Sequence, residues 1–165
     1  MATLIIILAI IGIPAFYAIR QWRKIYRQRQ KQLNLAAAYE RMLVQQRLCV
    51  DRYAIIGNSV IALDCKNKRL AVVDQRYDET RQQCIRLRNV GDTKVVEQRD
   101  ANRNICRIDV QLRIEGTNVV HSICFFDAVH DKIIELPHMA KQANYWKHQV
   151  DLHKSPGWFH RSAPS

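Results

Sequence analysis

Residues 106–114 read CRIDVQLRI, an unbroken alternation of apolar and polar side chains. Successive side chains of a β-strand point to opposite faces, so this stretch predicts a strand with one face buried and one in solvent. The face expected to meet solvent carries Arg107, Asp109, Gln111 and Arg113. Burial on one side only is typical of an antiparallel sheet.

Other parts of the chain predict partner strands for this one. Short apolar runs at residues 59–64 and 69–74 are joined by the polar residues 65–68, a connection of hairpin length. Further strands are predicted at residues 84–90, 93–97 and 119–126. Six strands at such short spacing favour a meander, a sandwich or a barrel over βαβ units.

The C-terminal part of the chain predicts one amphipathic helix over residues 137–153. Pro137 suits the first turn of a helix, where its missing N–H has no partner to lose. Apolar residues then recur at Met139, Ala143, Trp146 and Val150, a stripe suited to packing on a sheet. We therefore expect an α+β fold that is mainly antiparallel β, capped by this helix with Trp146 buried. Residues 155–165 are expected to form a flexible tail.

The N-terminal residues predict a membrane anchor over residues 1–19. Residues 3–19 read TLIIILAIIGIPAFYAI without a charge, close to the roughly 20 apolar residues that cross a bilayer core. No basic residue precedes this run and no A-x-A cleavage site follows it, which disfavours a cleaved signal peptide. The positive charges that follow directly are Arg20, Arg23, Lys24, Arg27, Arg29 and Lys31. Because positive flanks stay in the cytoplasm, we expect a single pass through the inner or plasma membrane, with the N-terminus outside and the domain in the cytoplasm.

Residues 20–48 are expected to form a basic juxtamembrane helix. They contain no Gly or Pro and are rich in good helix formers. Residues 1–47 hold eight Lys/Arg and one Glu, a net charge of +7 out of the chain's +11, and such clusters contact anionic headgroups. Nucleic acid is therefore a less favoured partner. The apolar repeat lapses over residues 28–32, so a solvated stalk is favoured, and self-association through residues 20–47 stays open.

The order of these elements resembles small bacterial membrane-anchored proteins with a pleckstrin-homology-like (PH-like) domain. The resemblance rests on the apolar spacing and basic turn of residues 61–74, on residues 110–114 and 123–127, and on Ala143 and Trp146. It covers about residues 57–153. It implies a PH-like sheet or barrel over residues 49–154 that binds a partner and catalyses nothing, and it supplies no ligand residues.

The chain carries no catalytic signature. Its cysteines have no C-x-x-C spacing, so no metal or cofactor is predicted; they are Cys49, Cys65, Cys84, Cys106 and Cys124. His121 and His130, with nearby carboxylates, form the most suggestive polar group, but their spacing matches no known site. A metal-binding or enzymatic domain centred on these two histidines stays an alternative. A pilin-like structural subunit is another, although the basic prefix and early glutamate of its leader are absent.

Four arginines on the predicted strands are candidates for a basic face: Arg86, Arg88, Arg107 and Arg113. Together with the cations at positions 20–31, they are the residues expected to contact a protein partner or anionic lipid. We therefore expect a non-catalytic, membrane-tethered binding or scaffold module on the cytoplasmic face.

Overall fold

A computed structural model of the chain describes the backbone of residues 2–76 and 79–154, and the side chains of these residues except 2–18 and Lys24. Most of the predicted anchor therefore lies outside the described side chains, and the predicted tail lies outside the described residues. Over the part of the chain that is described, no helix combines the length and the apolar character needed to cross a bilayer.

Over the residues described, the chain is α+β, with two long helices and seven strands in two antiparallel sheets. Helix α1 is Ala2–Gln46 and helix α2 is Leu136–His153. The strands are β1 Arg52–Ile56, β2 Ser59–Asp64, β3 Arg69–Asp74, β4 Arg81–Arg86, β5 Val90–Arg99, β6 Ile105–Ile114 and β7 Val120–Asp127. The first sheet has the order β1-β2-β3-β4 and the second β5-β6-β7, and among the described residues they do not close into a barrel.

The predicted α+β class, with antiparallel sheet and a C-terminal helix, is confirmed. Strands β2 and β3 have the predicted bounds, and β6 and β7 differ from theirs by one residue. Strand β1 was not predicted, and β5 extends beyond residues 93–97 at both ends. The strand predicted at residues 84–90 is wrong in position, because β4 ends at Arg86 and Leu87–Asn89 form a 3-10 turn. That turn carries the chain from the first sheet to the second.

The main core lies between the two sheets and is covered by α2. Phe125, Phe126 and Leu63 are fully buried there. The predicted stripe of α2 faces this core, and Trp146 is 2% exposed. Helix α2 lies against β5, β6 and β7, and the burial of a large aromatic ring there stabilises it as a cap.

Helix α1 packs on the outer side of the first sheet through its C-terminal third. Leu35, Ala38 and Met42 recur at helical spacing and are buried. They contact the outer residues of β2 and β3, which are Val60, Ala62, Ala71 and Val73. The described side chains of residues 19–34 are all exposed. The predicted solvated stalk is thus a continuous helix that leaves the domain.

Candidate functional site

The four arginines of the predicted basic face do not lie on one surface. Arg86 and Arg88 are exposed and line the same cavity. Arg113 is exposed elsewhere, near Asp92 and Lys94. The structure therefore brings together one pair of the predicted residues and separates the other two.

Arg107 forms an ion pair inside the domain with Asp109. Asp109 is buried, so the prediction that it faces solvent is wrong. Asp109 is 2% exposed, and its carboxylate accepts a hydrogen bond from Arg107 Nε at 2.8 Å. The pairing of β6 with β7 is irregular between Ile108 and Asp109, so simple alternation fails at this point. Arg107 Nη1 is also 3.8 Å from the carboxylate of Asp127. Arg107 is thus neutralised within the domain.

Arg86 and Arg88 belong to a cavity of about 390 Å³ at the β2–β3 turn, which we call the basic cradle. Its lining consists of four cations and two amides, with no carboxylate: Asn67, Lys68, Arg69, Arg86, Arg88 and Asn89. All six side chains can donate hydrogen bonds. The cradle therefore has the chemistry of a site for a negatively charged group.

Strand pairing brings the cations of the basic cradle together. Arg69 and Arg86 are directly opposite each other on β3 and β4, and Leu87 N–H donates to the carbonyl of Lys68 at 2.8 Å. Like charges at directly opposed positions destabilise a sheet. Over the described part of the chain, none of the four cations of the cradle forms a salt bridge. The pairing of β3 with β4 thus holds several positive charges close together.

The carboxylate of Asp64, close to the cradle, is committed to the β2–β3 turn. It accepts hydrogen bonds from Asn67 N–H at 2.8 Å, from Asn67 Nδ2 at 2.8 Å and from Cys49 N–H at 3.0 Å. Burial acts to raise the pKa of Asp64, but these hydrogen bonds and the charge of Arg69 outweigh it and lower the pKa. Asp64 therefore stays ionised and shapes the turn that presents Lys68.

Arg69 joins the cradle to the C-terminal end of α1. Its Nη1 donates to the carbonyl of Gln46 at 2.9 Å. A cation at this position satisfies one of the free carbonyls of a helix end and suits the negative end of the helix dipole. The last turn of α1 is therefore anchored beside the cradle, and the helix runs away from it.

The cations predicted to contact lipid lie on the free part of α1. Arg20, Arg23, Arg27, Arg29 and Lys31 are exposed. The sixth, Lys24, lies among the side chains that are not described. No salt bridge joins the five exposed cations to another described residue. These residues form a second positive region, distinct from the basic cradle.

A cavity of about 420 Å³ continues from the cradle along β4, and we call it the edge groove. It shares Arg86 and Asn89 with the cradle. Its other lining residues come from β4 and from the β6–β7 hairpin: Cys84, Ile85, Ile114, Thr117, Val119 and His121. The groove thus combines an apolar wall with a positive end, and it too has no carboxylate in its lining.

The two histidines of the alternative site lie towards opposite ends of β7. His121 is near its start, and His130 is exposed in the turn after its end. Six residue steps of strand from His121 to Asp127 span about 20 Å. Among the described residues, no group of three or more His, Cys, Asp or Glu side chains converges as metal ligands would.

The five cysteines are free thiols in the structure. Burial raises the pKa of Cys124 to about 12, and burial also raises the pKa of Cys84. A thiol of raised pKa is a poor nucleophile at neutral pH, because the thiolate is the reactive form. Cys124 therefore acts as a small buried side chain, and the half-buried Cys84 is likewise a poor nucleophile.

Reasoning from sequence missed half of the cradle's cations. Lys68 and Arg69 lie in the predicted basic turn, but they become part of a site only through the pairing of β3 with β4. The signal that could have found them is the position of Arg69 directly opposite Arg86. That position is known only once the register of the β3–β4 pair is known. Comparison of the chain with protein families, with curated proteins and with solved structures found no match in any of the three.

Proposed function

We propose that this chain is a non-catalytic binding module that holds a negatively charged partner in the basic cradle. The observation that carries the proposal is the cluster of four cations around one cavity, with no salt bridge to another described residue. Assembling such a cluster costs stability, because Arg69 faces Arg86 directly. A bound anion removes that repulsion. The partner is a protein with acidic groups or an anionic lipid.

The arrangement of the domain supports a PH-like architecture as part of this proposal. Seven antiparallel strands in sheets of four and three are followed by one amphipathic helix that packs on the core. This is the element order of the family that the sequence resembles. A binding module needs no catalytic groups. Its function depends on a site on the surface of the fold.

The proposal includes a membrane tether formed by residues 3–19, with the domain on the cytoplasmic face. Its support is the uncharged apolar run followed by the cluster of cations. The exposed cations of α1 near that run suit anionic headgroups. Trp22 and Tyr26 are exposed beside them, and aromatic rings of this kind favour the interface of a bilayer.

The test is binding by the full chain, reconstituted in neutral phosphatidylcholine nanodiscs, to two anionic probes. One probe is a soluble peptide rich in glutamate, and the other is vesicles of phosphatidylcholine with phosphatidylserine. The variant Arg86→Gln/Arg88→Gln should weaken binding to at least one probe and flatten its dependence on salt, since screening acts on exposed charges.

The matched control is Lys94→Gln/Arg103→Gln, which removes the same charge from exposed positions outside the cradle. This control should bind the probes as the unaltered chain does. Equal weakening by both double variants would mean that net charge alone attracts the probes. Binding that ignores salt and both variants would refute the cradle as the site.

A further inference from the structure

We infer that the partner is a protein, and that an extended acidic segment of it adds as a strand to the free edge of β4. This inference rests on the proposed function and names its partner. The segment would lie in the edge groove, with acidic side chains reaching the basic cradle. Main-chain hydrogen bonds to β4 would supply binding strength, and the cradle would select for negative charge.

Strand β4 offers a row of unpaired main-chain groups. Because Leu87 N–H bonds to the carbonyl of Lys68, directly opposed residues at this and alternate positions share hydrogen bonds with β3. The N–H and C=O groups of Gln82, Cys84 and Arg86 therefore point away from β3. No strand in the described part of the chain pairs with that side of β4. An exposed edge of this kind is a template for another strand.

The edge groove has the lining that an added strand requires. Ile114 and Val119 form an apolar wall on the far side, and Val119 is 50% exposed. Arg86 and His121 supply polar contacts within the same groove. Since side chains of a strand alternate between its two faces, apolar and acidic residues at alternate positions would match the wall and the cradle.

Charge argues against a second copy of this chain as the occupant. Pairing through the outward main-chain groups of Gln82, Cys84 and Arg86 would bring two copies of the basic cradle, each with four cations, to one short pair of strands. Like charges repel. The carboxylates of a partner protein would instead be attracted by these cations.

The course of α1 argues against lipid of the chain's own bilayer. The C-terminal end of α1 is fixed beside the cradle by the bond from Arg69 to Gln46. From Ile19 to Gln46 the continuous helix spans about 40 Å. With residues 3–19 in the bilayer, the cradle lies far beyond the headgroups along the helix axis. An acidic protein segment can reach the cradle at that distance.

The probe for this inference is a capped ten-residue peptide of alternating Glu and Val, added to the full chain in neutral phosphatidylcholine nanodiscs. Two further peptides carry the same side chains, with N-methyl groups on all Glu residues or on all Val residues. An added strand donates N–H groups to β4 at alternate residues only. One N-methylated peptide should therefore bind at least about tenfold more weakly than the other.

Amide hydrogen exchange provides a second measurement, and it needs no variant of the protein. On addition of the parent peptide, the amides of Gln82, Cys84 and Arg86 should exchange more slowly. The amides of Gln83 and Ile85 serve as internal controls, because they already bond to β3. Their exchange should change little.

The outcomes separate this inference from the proposed function. Equal binding of both N-methylated peptides, with no amide slowed, would overturn strand addition while binding in the cradle stands. Failure of the parent peptide, with vesicle binding still dependent on Arg86 and Arg88, would overturn it in favour of lipid. A dimer of the chain, detected by its doubled mass, that prevents binding of the peptide would overturn the inference in favour of a second copy as the occupant. No anion binding dependent on Arg86 and Arg88 would refute the proposed function as well.

Discussion

The arginines buried in the domain differ from those of the basic cradle in how their charge is matched. Arg76 is 3% exposed, and its Nη2 donates to the carbonyl of Phe125 at 3.0 Å and lies 3.9 Å from the carboxylate of Asp131. Arg69 and Arg86 of the cradle instead face each other. Arg76 is thus close to a carboxylate inside the domain, whereas no described salt bridge involves a cation of the cradle.

Gly57 shows how closely the buried pair is packed. Its φ is +57°, a left-handed conformation that glycine adopts without strain. A Cβ atom at this position would lie 3.1 Å from Asp131 Oδ1. The β1–β2 turn thus covers the Arg76–Asp131 pair directly. In the cradle, by contrast, Arg86 and Arg88 are exposed and Lys68 and Arg69 are half-buried.

The largest effect should come from removing the partner of the buried arginine. Asp131→Ala leaves Arg76 buried without a carboxylate, and two of its other nitrogens, Nε and Nη1, already lack hydrogen-bond partners among the described residues. We expect a loss of about 3–5 kcal/mol in the free energy of unfolding, measured by urea denaturation of the full chain. The double variant Arg76→Met/Asp131→Leu should recover much of this loss. A loss below about 1 kcal/mol for Asp131→Ala would contradict the contrast drawn above.

The second effect concerns Asp64, the carboxylate that holds the β2–β3 turn. Asp64→Ala removes three hydrogen bonds to a charged acceptor, and we expect a loss of about 2 kcal/mol at pH 7. Because the pKa of Asp64 is lowered in the folded state, its contribution is present above the unfolded pKa of about 3.9 and is lost as pH falls through the folded value.

The pH dependence of unfolding provides the control for Asp64. The difference in stability between the unaltered chain and Asp64→Ala should be constant near neutral pH and should shrink on acidification below about pH 4. Asp64→Asn should behave as Asp64→Ala does in this respect, because neither variant titrates at that position. A difference that grows as pH falls would have the wrong sign for a lowered pKa.

The third effect has the opposite direction. Arg86→Gln/Arg88→Gln removes repulsion within the cradle and breaks no described salt bridge, so stability should rise by about 0.2–1 kcal/mol at low salt. The gain should fade as salt screens the cations. Thermal unfolding at two ionic strengths measures both features. A clear loss of stability would mean that these arginines serve the fold, as Arg107 does.

The smallest effect should come from an exposed ion pair. Arg99 Nη2 lies 3.0 Å from Glu97 Oε2, with both side chains largely in solvent. Glu97→Gln should change the free energy of unfolding by less than about 0.5 kcal/mol. This variant sets the baseline for the series, since it breaks a charge pair that neither supports the core nor belongs to the cradle. A change as large as that of Asp131→Ala would show that distance and not burial governs these pairs.

The sequence predicted those elements whose periodicity continues to their ends. Strand β6 and helix α2 are examples, because an apolar face runs along most of each, despite the irregularity of β6 at Ile108 and Asp109. Strand β1 was not predicted, because its five residues show no clear alternation of apolar and polar side chains and include the exposed Tyr53 and Ile55. The shift of β4 has a local cause: Leu87 keeps the alternating pattern and is buried in the core, but from a 3-10 turn.

The candidate site was predicted only in part, for a reason of topology. Exposed arginines at residues 86 and 88 follow from alternation alone, whereas the role of Arg69 follows from cross-strand register. Arg107 shows the opposite error, because its pattern predicted exposure and a neighbouring buried carboxylate drew it into the fold. Local pattern predicts the face that a residue takes where strand pairing is regular, and charge matching between distant residues becomes visible only in three dimensions.

Under the proposed function, the continuous helix α1 would set the effective concentration at which the cradle meets its partner. A flexible linker of the same 28 residues, 19–46, would have a root-mean-square end-to-end distance of about 30 Å and would let the domain sweep the space around the proposed anchor. A helix of this length would instead confine the cradle to a thin shell at one height above the membrane. A partner held at the same membrane would gain from this confinement only if its acidic segment stood at that height. The length of α1 would then select partners by their reach.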